Sequence, residues 1–225
     1  MIVVFSPCSK SKDDSIPIYP ASRIVSPSSY INNAFLNKQL LLVREKIFSD
    51  PLARLGTGTT HAFNLYVRTG LAYHFILNDT YEKLKRLLQQ SDNVQWFFLS
   101  GGYGIIHALE EAKSYQASLS YNIAHQHKIP FTGKIWGGLL SEICDSIIER
   151  LKPSFLYVFG SKDYISFVKN TKHWKRSDKI KLFESRGSSG QYWLAPILNE
   201  LSRAILTDDL PGFNSSFPDK YVKQE

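Results

Sequence analysis

Four short apolar runs, each closed by a small polar loop, constrain this chain more than any other feature of it. They are IVVF at 2–5, VQWFFL at 94–99, FLYVF at 155–159 and IKLFES at 180–185. Apolar runs of this length, bounded by turn residues, read as buried parallel strands. Helical patterns separate or follow them: NNAFLNKQLLLVREKIF at 32–48, AYHFILNDTYEKLKRLLQQ at 72–90, GKIWGGLLSEICDSIIERL at 133–151 and GQYWLAPILNELSRAIL at 190–206. The third stops before Pro153, as helices do, and Pro196 fits the fourth only within its first turns. Strands alternating with helices predict an α/β chain of one domain, three layers deep (α/β/α), around a four-stranded parallel sheet. The pattern runs over 1–207. Residues 208–225, DDLPGFNSSFPDKYVKQE, read as a tail that wraps the surface or frays.

Several classes fall away. No apolar run approaches the roughly 20 residues of a membrane span. The amino terminus, MIVVFSPCSKSK, has only four apolar residues in a row and its lysines follow them, the reverse of a secretory signal. Two cysteines without such a signal predict neither a structural disulfide nor a structural zinc site, so the expectation is a cytoplasmic protein. The six histidines show no metal-ligand spacing beyond His125 and His127, and no acid or cysteine completes that pair. No metal and no cofactor is expected.

The loops behind the strands form the second regularity. SPCSKSKDD comes after the first strand, SGGYGIIHALEE after the second, GSKDY after the third and SRGSSGQYW after the fourth. In an open parallel sheet the ligand sits outside the carboxyl ends of the strands, so four such loops converge on one crevice. Ser9, Lys10, Ser11 and Lys12 with free backbone amides suit an anion, although the glycines of a Walker loop are missing. Cys8 reads either as a nucleophile activated by a neighbouring lysine or as a small buried residue. Gly101, Gly102 and Gly104 suit close approach of backbone to a ligand, with Tyr103 stacking on a planar base; a tight turn with Tyr103 capping the core is the alternative. His107 contacts the ligand or a backbone carbonyl. Glu110 and Glu111 cannot both enter an apolar pocket as anions, and a single carboxylate near a sugar stabilises an oxocarbenium-like centre or activates water. Asp163 reads as a site acid or as a favourable charge on a helix's first turn. Arg186, Ser188 and Ser189 precede a helix start, an arrangement that favours phosphate.

The chain carries a net charge of +7, and the excess is concentrated. Over residues 162–181, Lys162, Lys169, Lys172, Lys175, Arg176, Lys179 and Lys181 face only Asp163 and Asp178, with His173 and Trp174 among them. Basic residues with an interleaved aromatic suit phosphate contact and base stacking; a solvated helix end is the plainer reading.

Three stretches, SPCSKSK, YPASRIVSPSSYINNAF and LSGGYGIIHALEEAKSYQASL, resemble a set of bacterial and phage-associated domains with Cys-Ser-Lys-x-Lys and Ser-x-x-Tyr-Gly signatures. These are similar in turn to the peroxide-stress protein family, whose later elements VFGSKDY and SRGSSGQYWL resemble. The resemblance covers roughly residues 1–120 and thins beyond. It implies kinship with the uracil-DNA glycosylase superfamily, whose four-stranded parallel sheet carries its active-site loops at the strand carboxyl ends. Among such relatives are anti-phage DNA glycosylases that remove modified cytosines. On the matching positions it implies roles for Cys8, Ser9, Lys12, Tyr103, Gly104, Glu110 and Tyr115. Val25, Ala108 and Gln116 depart from the pattern's tyrosine, proline and aspartate. The superfamily's Gly-x-Asp-Pro-Tyr and His-Pro-Ser motifs are missing as well, so no catalytic residue transfers by motif.

The resulting expectation is a metal-independent DNA N-glycosylase, working as a monomer on double-stranded modified phage DNA. Lys10, Lys12, Lys162, Lys172, Lys175, Arg176, Arg186, Ser188 and Ser189 would hold phosphates, with Trp174 among them. Cys8, Ser9, Tyr103, His107, Tyr115 and the three glycines would hold base and sugar, and Glu110, then Asp13, then Asp163 would supply the carboxylate. A DNA-binding protein without catalysis and an N-glycosidase acting on free nucleosides are the alternatives.

Overall fold

β1 (Ile2–Pro7) is buried from Val3 onward, and each of its two edges is paired. The computed structural model describes residues 1–174, 179–185 and 190–217, with the side chains of 190–192 left aside. After β1 a long loop leads to α1 (Ala34–Phe48), whose amino end is capped by Asn33 Oδ1 accepting from the amides of Phe35 and Leu36. That cap satisfies two of the amides a helix start leaves unpaired. The chain then forms β2 (Thr60–His61), α2 (Ala62–Val67), α3 (His74–Asp79) and α4 (Tyr81–Gln90). The single helical pattern expected over 72–90 is thus broken at Thr80, whose hydroxyl bonds Asn199 Oδ1 at 3.3 Å.

β3 (Val94–Ser100) pairs parallel to β1, with Ile2 opposite Val94 and Pro7 opposite Leu99. β4 (Gly104–His107) folds back antiparallel on β3, and β5 (Glu111–Ala112) pairs with β2 in a separate two-stranded ribbon. α5 (Tyr121–His127) and α6 (Gly133–Leu151) come next; Gly137, at φ 38° and ψ −132°, interrupts α6 near its start. β6 (Phe155–Ser161) lies on the other side of β1, then come α7 (Lys162–Lys169), β7 (Ile180–Ser185), α8 (Gly190–Thr207) and α9 (Leu210–Ser216).

The sheet order is β4-β3-β1-β6-β7. The fold is mixed α/β, and its main sheet is mostly parallel with helices around it. Two differences from the sequence reading stand out. A fifth strand, β4, adds an antiparallel edge, because the stretch after the glycines turns back on β3 instead of entering a helix. The first half of the expected tail is α9, which Asp209 caps through Gly212 N and which buries Phe213 against Tyr157 and Phe183. Residues 218–225 lie outside the described residues.

β1 and β3 alternate their side chains to both faces, and both strands are buried along nearly their whole length, so both faces are covered. α1, α6 and α7 pack together on one side of this arrangement, while α8 gathers α3, α4 and α9. The core runs through Phe5, Trp96, Phe97, Phe98, Tyr157 and Phe159. From β1 the chain crosses to β3 on one side, and from the β3–β4 hairpin it returns to β6 on the other. The strand order therefore reverses between β1 and β6. In open parallel sheets ligands bind at such a reversal, outside the carboxyl ends of the two strands.

Candidate functional site

At that reversal two side chains meet. Cys8 follows β1 directly, its amide bonded to Leu99 O at 2.7 Å, and its Sγ lies 3.6 Å from Tyr164 Oη. Tyr164 stands on the first turn of α7, the helix that β6 leads into. A second polar group adjoins them. Tyr66 Oη lies 3.2 Å from Ser100 Oγ and 3.1 Å from Tyr115 Oη, and Ser100 Oγ lies 2.6 Å from Tyr115 Oη. Below Cys8, the Tyr73 hydroxyl donates to Ser6 Oγ and Pro7 O, while Trp96 Nε1 donates to Ser6 Oγ at 2.8 Å. Lys12 bends back over this floor: Nζ donates to Lys10 O at 3.2 Å and sits 4.2 Å from the centre of the Tyr115 ring.

Burial sets the protonation of these groups. It pushes the Tyr66, Tyr115 and Tyr164 hydroxyls well above the usual phenol range, and the nearby Cys8 adds to the effect. They remain neutral hydroxyls at any ordinary pH, each both donor and acceptor. Burial also pulls the Lys12 ammonium below its ordinary value, with Cys8 acting against that shift. Tyr66, Ser100 and Tyr115 are at most 1% exposed, so beneath the Cys8 loop lies a packed cluster of neutral hydroxyls, with one thiol and one amine beside it. Of these groups, the amine is a nucleophile or an anion contact.

The acids stand at the rim. Asp13 accepts from Ser15 N at 2.9 Å and from Arg68 Nε at 2.9 Å, which together hold its carboxyl below the usual range. Asp14 accepts from Ser114 N at 3.1 Å. Asp163, exposed on the first turn of α7, has no hydrogen bond or ion pair to its carboxylate among the described residues.

Glu110 is not at this crevice. Its Oε1 takes Arg44 Nη1 at 2.5 Å, and its Oε2 takes the Tyr30 hydroxyl at 2.6 Å and His107 N at 3.3 Å. Both side chains of the ion pair are 8% exposed. Arg44 goes on to donate to Tyr103 O at 3.0 Å and Ile105 O at 2.6 Å, tying α1 to the β3–β4 hairpin. Burial alone would lower the Arg44 guanidinium, and the Glu110 carboxylate more than offsets it. The glutamate belongs to the frame of the hairpin, and a sugar reaching it would have to displace Arg44.

The glycines are likewise occupied by the chain itself. A Cβ on Gly101 would lie 2.5 Å from Ala117 O, one on Gly102 2.6 Å from the Tyr115 ring, and one on Gly104 2.7 Å from the Trp136 ring. Gly104 also has φ +70°, the left-handed residue that closes a three-residue hairpin loop. Tyr103 is enclosed by Phe48, Tyr115 and the Arg44 guanidinium, and its hydroxyl is shared with the backbone of Lys113. No ring face remains for a base. His107 stacks against Tyr30, accepts at Nδ1 from Leu109 N, and leaves Nε2 buried without a partner among the described residues. These residues shape the hairpin that backs the crevice; the turn-and-core reading applies to them.

The described residues of the basic stretch do not form one surface. Lys162 is exposed at the carboxyl end of β6. Lys172 and Trp174 come after α7 has run back along the sheet, beside the Lys179 backbone that bonds Leu156 N at the start of β6. Lys172 N bonds Asp145 Oδ2, and Trp174 packs against the core. They therefore lie at the opposite end of the strands from Cys8. Lys175, Arg176, Arg186, Ser188 and Ser189 lie outside the described residues. Of the expected contact residues, the structure brings together Cys8, Lys12 and Tyr115, with buried Ser9 and exposed Lys10 on the same loop.

Four participants were not legible in advance: Tyr66, Tyr73, Tyr164 and Arg44. The signal for Arg44 was a charge at the third place of the buried α1 series Leu36, Leu40, Arg44 and Ile47. Tyr164 sat in view inside GSKDY, whereas nothing in the pattern marks Tyr66 or Tyr73. Among the described residues, no group of three His, Cys, Asp or Glu side chains suits a metal, and no helix is long and apolar enough to cross a membrane. Compared with known proteins, the chain matches no family model and no curated protein.

Proposed function

We propose that this chain is a DNA N-glycosylase excising a modified base, with the crevice between the carboxyl ends of β1 and β6 as its pocket. A hypermodified cytosine of phage DNA is the substrate class the resemblance implies. The observation that carries the reading is the meeting of Cys8 and Tyr164 at the point where the strand order reverses, beside the Tyr66–Ser100–Tyr115 group. The uracil-DNA glycosylase superfamily keeps its active-site loops at the carboxyl ends of four parallel strands, and the parallel strands β3-β1-β6-β7 of this five-stranded sheet support the reading.

Lys10 and Lys162, exposed at the rim, contact backbone phosphates. Flipping a nucleotide into the crevice costs a few kcal/mol, which hydrogen bonds from neutral hydroxyls and contact with the tyrosine rings offset. With Glu110 held by Arg44, the carboxylate of choice becomes Asp163, one residue before Tyr164 and free of an ion partner among the described residues; Asp13 is second, tied to Arg68. A carboxylate there stabilises positive charge growing on the deoxyribose and directs water to C1′.

One observation favours a second reading, an N-glycosidase on free nucleosides. The long basic stretch, which argued for a polymer, is divided between the two ends of the sheet. Incubation with unmodified DNA, heavily modified phage DNA and the matching free nucleosides, followed by alkali or chromatography, separates the readings. The glycosylase predicts abasic breaks in modified DNA alone. Base release from nucleosides alone supports the second reading, and tight salt-sensitive binding without product leaves a DNA-holding protein.

A further inference from the structure

We propose that Lys12 gives this crevice a second activity, an abasic-site lyase: its amine captures the ring-opened deoxyribose left by base excision and opens the strand on the 3′ side. The inference rests on the proposed function, and its test is arranged so that the two fail separately.

The geometry is that of an amine kept for chemistry. Lys12 Nζ has a single hydrogen-bond acceptor, Lys10 O at 3.2 Å, and no carboxylate pairs with it among the described residues. It is turned inward over the Tyr115 ring at 4.2 Å, on the loop that carries Cys8. A lysine that only neutralised phosphate would gain nothing from this placement, since it trades water for an aromatic face. Lys10 and Lys162 keep the solvated position such a role calls for. Burial lowers the Lys12 ammonium's pKa, which raises the share of free amine at neutral pH. The Tyr115 face then does a second thing: it attracts the cationic iminium that forms when the amine condenses.

The step balances without an oxidant or a metal. Nζ adds to the C1′ aldehyde, and the C1′ oxygen leaves as water, forming an iminium between Lys12 and the sugar. The iminium acidifies the C2′ hydrogen, whose proton passes to solvent. The electron pair forms the C2′–C3′ double bond, and the C3′–O bond breaks with the 3′ phosphate leaving. Water then hydrolyses the iminium and frees Lys12, leaving an unsaturated aldehyde on the upstream strand.

The test uses a labelled duplex with one abasic site, prepared from a uracil-containing oligonucleotide, so that recognition of a modified base is not required. The full-length protein is mixed with it, with and without borohydride, which reduces an iminium to a stable amine link. The expected result is strand cleavage without borohydride and a covalent protein–DNA band with it. The band falls about 100-fold in Lys12→Met and persists in Lys38→Met, an exposed lysine of α1. Mass mapping of the wild-type adduct places the link on Lys12 independently of how well any variant folds. An adduct on another residue, or no adduct, overturns the proposal. Base release from modified DNA, measured in parallel, keeps the claims apart. Release without an adduct removes the lyase and leaves the glycosylase, while an adduct without release removes the glycosylase and leaves the lyase.

Discussion

Replacing Glu110 by glutamine removes one charge from a buried pair and changes almost nothing in volume. Arg44 keeps its two carbonyl acceptors, Tyr103 O and Ile105 O, but loses the carboxylate that balanced its charge. Tyr30, whose hydroxyl donates to Oε2, is left facing an amide that offers one acceptor where two oxygens served before. Breaking a buried pair from one side costs about 3–5 kcal/mol, and the retained amide oxygen puts this case near 3 kcal/mol. For a domain of this size that loss lowers Tm by about 6–12 °C. Thermal unfolding followed by circular dichroism measures the shift, and urea unfolding measures the free energy. Arg44→Met should cost a similar amount, and the double variant less than the sum, because the two changes act on one interaction. The reasoning is refuted if Glu110→Gln unfolds within about 0.5 kcal/mol of wild type, the range of an ordinary surface change. Unchanged stability together with lost base release would return Glu110 to the reaction itself.

Two further expectations concern the same hairpin. Burial, with Arg23 and His61 adding to it, holds the His107 imidazole down to about 3, so the native state refuses a proton that the unfolded chain takes up below about 6.5. Its contribution is intact above that value and drains away as pH falls, by about 2.7 kcal/mol at pH 4.5. Urea unfolding at pH 7 and 4.5 should show a shallower acid loss in His107→Gln; an identical loss in both proteins contradicts the assignment. Gly104→Ala combines a φ of +70° with a Cβ 2.7 Å from the Trp136 ring, and should destabilise by about 2–3 kcal/mol. A change under 0.5 kcal/mol, roughly a surface effect, would mean that Trp136 yields freely.

β1 and β6 were legible as apolar runs, the mark of strands buried on both faces, and β3 as one broken only by Gln95. β7, which carries Lys181 and Glu184, is a half-buried edge strand legible mainly from Ile180, Leu182 and Phe183. β4 was not, because Ile105 and Ile106 stand behind three glycines that read equally well as a ligand loop. What decided between those readings is what each glycine touches: the Ala117 backbone, Tyr115 and Trp136 come from elsewhere in the chain, and their approach has no local sequence sign. The ion pair that holds Glu110 was hidden for the same reason, since its partner Arg44 lies 66 residues away. The basic stretch shows the opposite trap. Contiguous in sequence, it is divided in space because α7 carries the chain about 12 Å along the sheet, from the end where Lys162 stands to the end where Lys172 stands. Of the residues in the strand-end loops, Cys8, Lys12 and Tyr115 are brought together. The buried phenols around Cys8 were invisible because hydroxyl clustering follows from packing, not from spacing.

The central claim is that a base leaves its sugar in the crevice between β1 and β6, and direct measurement of the released base tests it most closely. Chromatography with mass detection, applied to heavily modified phage DNA after incubation with the protein, should show the free modified base, with none from unmodified DNA. Asp163→Asn should reduce that release at least about 100-fold while lowering Tm by no more than about 2 °C, since its carboxylate has no hydrogen bond or ion pair among the described residues and contributes only a charge on the first turn of α7. No free base from any modified DNA, with a folded protein in the tube, would contradict the account.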